Sequence, residues 1–162
     1  MQTKGNGPSL RVVTTAMMAF VGVAAFTALS VEDLAGLTAD ERANLSAGLI
    51  ARYVIAMAIG GALAGWLFAS LFGRRGVLGL VLALLGGLFA TMIAGLFGSA
   101  FAMLPDLVAN GFSMGDLIGI GFGLAVLPLG IASQLFLAAG WLALVIIAQI
   151  WARRIRMVRR EA

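Results

Sequence analysis

Two acids, Glu32 and Asp33, and one base, Arg52, stand at the ends of long apolar runs, where they could pair across neighbouring helices. Such a pair serves as a gate or an ion entrance. The plainer role is an arginine that extends to a polar boundary, with Tyr53 beside it as an interface anchor. Ser133, Gln134 and Gln149 fall inside an apolar stretch. They are uncharged and poor proton carriers, and their polar groups must face a partner. Met17, Met18, Met57, Met92, Met103 and Met114 supply thioethers that could ligate Cu(I). Only Met103 and Met114 share a connection, and no pair has the MxxM spacing, so methionine reads as apolar filler. The chain has no cysteine and no histidine. Disulfides, thiolate zinc sites, haem ligated by either residue and His- or Cys-based catalysis are therefore excluded. The stretches GGALAG (60–65) and GFGLAVLPLG (121–130) lack the following Lys-Ser/Thr and the acidic ribose partner of nucleotide loops. We expect no enzyme activity, no cofactor and no metal.

The elements that must position these residues are set by composition. Of the residues, 62% are hydrophobic and 11% charged, with a mean hydropathy of +1.06; a soluble domain is about a quarter charged. Four blocks, 12–31, 50–73, 76–98 and 127–151, reach the roughly 20 apolar residues that cross a bilayer. The expected fold is all-α, a single polytopic domain over 1–162 with four transmembrane helices.

Charge orients it. Lys4 and Arg11 precede the first block, Arg74 and Arg75 separate the second from the third, and Arg153, Arg154, Arg156, Arg159 and Arg160 follow the fourth. Glu32, Asp33, Asp40, Glu41, Asp106 and Asp116 fall in the other two connections. The positive-inside bias puts both termini and the 74–75 turn in the cytoplasm, with localisation to a bacterial cytoplasmic (inner) membrane. The pI of 11.1 reflects this anchoring and not a nucleic-acid partner, since no aromatic or motif signature accompanies it.

The region 114–152 is too long for one straight span. Five spans would export the arginine-rich tail, so four are expected, with extra interfacial or protruding helix on the outer side and a break or kink at Pro128. Between 98 and 127 four forms stay open. Met103, Leu104, Leu107, Val108 and Phe112 can line an interfacial helix; the same segment can collapse on the bundle; it can extend a neighbouring helix; or 116–127 can re-enter the membrane. Thr38 and Glu41 form a capping box, so the second helix is expected to start near Ala39. The small residues Ala28 and Ser30 after the first apolar run resemble a signal cleavage site near Ser30. The run is long for a signal peptide, which favours retention.

Lipid tails are as apolar as leucine, so close packing through small residues is what joins spans. Gly61, Gly65, Ala69 and Gly73 recur every four residues, as do Ala83, Gly87, Thr91, Gly95 and Ser99. The expected packing residues are Gly61, Gly65, Gly87, Thr91 and Gly95, with the two stripes meeting in a hairpin or covering another subunit. Partners are then the lipid bilayer and another membrane protein or a second copy. No Asp, Glu or Lys lies deep in a span, which argues against ion-coupled transport. The expected function is a non-catalytic accessory, assembly or structural subunit. The alternative is an oligomeric channel or transporter for a small or neutral solute.

Overall fold

The computed structural model describes residues 8–36, 38 and 47–161, without the side chains of 32–34, 47, 49, 106 and 159–161. All regular structure among them is helical: α1 (Leu10–Ala35), α2 (Ala47–Leu67), α3 (Gly76–Asn110), α4 (Met114–Ser133) and α5 (Leu135–Glu161), with a short 3-10 turn at Ala69–Leu71. The capping box at Thr38 and Glu41 lies outside the described residues. Five helices are long and apolar enough to cross a membrane, against the four expected.

The difference arises between residues 98 and 135. The third helix does not stop at Gly98. It continues through Pro105 to Asn110, so Met103, Leu104, Leu107 and Val108 extend α3 and form neither a separate interfacial helix nor a loop. The segment 116–127 is continuous helix within α4, with no irregular re-entrant backbone. Ser113 caps α4, accepting from the Asp116 amide while the Asp116 carboxylate accepts from the Ser113 amide. Pro128 does not break the chain. It sits inside α4, and the interruption comes at Gln134, whose backbone is extended at φ −128 and ψ 118. A proline removes one amide from the helix ladder. A residue in the β region ends the ladder altogether, and α5 restarts at once, with the Ala138 amide donating to the Gln134 carbonyl at 2.9 Å.

Register follows from the close contacts. Gly61 and Gly65 of α2 abut the Met18 and Thr14 carbonyls of α1. A Cβ on Gly60 would lie 2.8 Å from the Ala94 Cα of α3. Both neighbours of α2 are therefore antiparallel to it. The small residues of α3 do not meet those of α2 as expected. Gly61 and Gly65 face α1, while Gly87 faces Val145 of α5 and Gly95 faces Gly123 of α4. Successive helical residues point about 100° apart, so Gly60 and Gly61 serve different neighbours. Ala69 and Gly73 fall beyond the end of α2 and extend no stripe on it.

Along α3, Met103 meets Gly119, Ser99 meets Gly123, Thr91 bonds Trp141, and Gly87 meets Val145. α4 and α5 thus both run opposite to α3, one beside each half of it. The core is built at these crossings from Met18, Val21, Ala64, Phe72, Ala90, Val145 and Ala148, with a second cluster of Met57, Ala94, Leu127 and Ile131.

Candidate functional site

At the end of the bundle remote from residues 74–75, the splay between α1, α2, α3 and α4 leaves a half-open cleft of about 550 Å³. Small residues make it: Gly95, Gly119, Gly123 and Gly130 line it without filling it. Its polar groups are the hydroxyls of Ser30, Tyr53, Ser99 and Ser133 and the amide of Gln134. Tyr53 is fixed by stacking on Phe26, with ring centroids 5.4 Å apart. The Ser133 hydroxyl donates back to the Gly130 carbonyl at 2.8 Å, which holds the last turn of α4 before the break. Met57 and Leu127, both buried, close the floor.

These groups can hydrogen-bond a neutral guest. Among the described side chains that line the cleft there is no carboxylate and no base beside a serine. Among the described residues no cluster of His, Cys, Asp or Glu could hold a metal ion.

The residues singled out from sequence are thus dispersed. Ser133 and Gln134 come together at the cleft. Arg52 is exposed on α2, and its pairing with Glu32 or Asp33 lies outside the described residues because those side chains do. Gly61 and Gly65 touch α1, and Gly87 and Gly95 touch α5 and α4. Thr91 is buried, donates to the Gly87 carbonyl at 2.8 Å and accepts from the Trp141 indole at 2.8 Å.

Two residues carry more than their sequence indicated. Trp141 looks like any span aromatic until its indole N–H finds Thr91. Gln149 is buried and grips the turn between α2 and α3. Its carbonyl accepts from the Gly73 amide at 2.6 Å, and its NH₂ donates to the Arg74 carbonyl at 2.9 Å and the Gly79 carbonyl at 3.2 Å. Gly73 is required there on two counts. Its φ is +78, and a Cβ on it would lie 2.7 Å from the Ala152 carbonyl. An amide in an apolar helix about one turn before the arginine tail was a signal that some irregular backbone nearby needed capping. No family model, curated protein or solved structure matches this chain.

Proposed function

We propose that this chain is a non-catalytic integral membrane protein that acts as an accessory or assembly subunit, with both termini and the 74–75 turn in the cytoplasm. The observation that carries the reading is the closed interior. The polar cleft at one end stops at Met57 and Leu127, and below it Met18, Val21, Ala64, Ala90 and Val145 fill the bundle. A single chain with such a core offers no polar path across, and its buried Thr91 and Gln149 bond between elements of the bundle.

Two facts support the topology. α4 and α5 run in the same direction along α3, which supports reading them in series as one broken crossing, four in all. Leu10 at the start of α1 and Ile155 near the end of α5 line the same hollow, so these two helix ends lie at the same end of the bundle. α3, with 35 residues, is about 52 Å long at 1.5 Å per residue. That exceeds the roughly 30 Å hydrocarbon core, and its surplus extends beyond the membrane at the Asn110 end. The small-residue faces are occupied within the chain. A partner therefore meets the outward apolar face of α4 and the start of α5, where Phe122, Leu129, Leu135 and Phe136 are exposed.

The second reading, a conduit for a neutral solute, is favoured by the hydroxyl-lined cleft alone. Purification in mild detergent combined with a photo-crosslinking residue at 122 or 136 separates the two. The subunit reading expects a distinct protein adduct at both positions and co-purification at fixed stoichiometry. A chain that crosslinks only to itself or to lipid, and that admits glycerol into liposomes, overturns it in favour of the conduit.

A further inference from the structure

At the opposite end from the cleft, the turn between α2 and α3 lies against the last turns of α5. The sequence puts arginines on both. Arg74, Arg75, Arg153 and Arg156 line one hollow of about 170 Å³, together with Gly73 and Met157. The gathering is built by the fold. The Arg74 Nε and the Arg156 Nη2 both donate to the Ser70 carbonyl, at 3.2 and 3.0 Å. Gln149 fixes the turn to α5 through Gly73 and Arg74. Four guanidinium-bearing side chains around so small a space offer an anion donors from two elements of the fold. The start of α3 adds to the field: Arg75 is its N-cap residue and no side chain caps it, so the positive end of the helix dipole faces the same region. Six of the seven acids belong by sequence to the connections at the other end; Glu161 lies one turn past Met157.

A second hollow, of about 420 Å³, adjoins the first and shares Arg156 with it. Leu10, Trp66, Leu67 and Ile155 give it an apolar side, beside Ser70 and Arg11, the latter seated 5.2 Å from the centre of the Trp66 ring. A guanidinium hollow that opens onto an apolar wall matches a phosphate with hydrocarbon attached.

We propose that the hollow between the α2–α3 turn and α5 is a specific phosphate-binding site, and that a phospholipid with a net negative headgroup occupies it. Arg75 and Arg153 grip the phosphate from opposite elements, Arg74 and Arg156 form its base, and the Trp66–Leu10–Ile155 wall receives the start of an acyl chain. The inference rests on the membrane placement proposed above and on neither of its functional readings.

The test uses the full chain in detergent and native mass spectrometry, titrating phosphatidylglycerol against phosphatidylcholine. We expect one phosphatidylglycerol to be retained preferentially. Arg75→Gln with Arg153→Gln should weaken it about 25-fold, at roughly fivefold per arginine. Among the described residues neither side chain makes a hydrogen bond, so helix content and melting should not change. Arg154→Gln, which removes one charge from the same tail but not from the hollow, should have less than half the effect of Arg153→Gln alone. Equal retention of phosphatidylcholine, or equal loss in the Arg153 and Arg154 variants, overturns the site. Inorganic phosphate is the separating arm: if it binds alone with the same arginine dependence and displaces the lipid, the lipid assignment is overturned. Failure of the membrane reading shows separately, as release of the chain from membranes by alkaline carbonate.

Discussion

A glutamine side chain has a carbonyl and two N–H donors to satisfy, and in an apolar interior water satisfies none of them. Gln149 resolves this on three backbone groups, the Gly73 amide and Arg74 carbonyl of the turn and the Gly79 carbonyl in the first turn of α3. Its replacement therefore injures both sides. Gln149→Leu should destabilise the fold by about 1–3 kcal/mol, the cost of leaving buried polar groups unsatisfied. Gln149→Glu should do no better, because it loses the donors facing the Arg74 and Gly79 carbonyls. Gln134→Leu, at the rim of the open cleft, should stay within about 0.5 kcal/mol. Thermal unfolding in detergent ranks the three, and a Gln134 variant as damaged as Gln149→Leu overturns the assignment. Sequence alone requires that each amide have a partner. It does not name the partner, because the bonded groups lie between 70 and 76 positions away along the chain.

Helices are joined here by what faces each glycine, and the faces differ in kind. Gly95 lies against backbone, the Gly123 carbonyl. Gly87 lies against side chain, with a Cβ position 2.6 Å from a Val145 methyl. Both Gly87→Leu and Gly95→Leu should cost about 1–3 kcal/mol or more by overpacking, well beyond Leu85→Ala, which removes an exposed side chain. Val145→Ala should then restore part of the Gly87 variant and none of the Gly95 variant. Folded yield of the double variants measures this, and equal rescue at both positions overturns the distinction. The period-four pattern made close approach legible without saying to which helix, since a smooth face fits any neighbour. The break at Gln134 was not legible for a related reason. Pro128 carries the stronger local signal, yet a helix in an apolar setting tolerates one lost amide, while the position of the break depends on how α4 and α5 each seat on α3.

For the whole molecule, apolar block length made the all-helical class and the spanning helices readable, and charge supplied an orientation. Helix count was harder, because α4 and α5 both run opposite to α3, and composition does not say whether such a pair crosses once or twice. The chain has no native cysteine, so single replacements report sidedness without background. Cysteines replacing Ala35 and Asn110 should react with an impermeant maleimide from outside, and those replacing Arg75 and Val158 only after permeabilisation. Labelling at 158 from outside while 75 stays protected would mean five crossings and overturn the serial arrangement of α4 and α5.

The clasp of Gln149 on Gly73 also orders events in time. During synthesis the turn between α2 and α3 leaves the ribosome well before the residue that satisfies it, 76 positions later. Until α5 seats, the Gly73 amide and the Arg74 carbonyl lack the partner that Gln149 gives them in the finished chain. The α2–α3 turn is therefore locked last, by the helix that enters last.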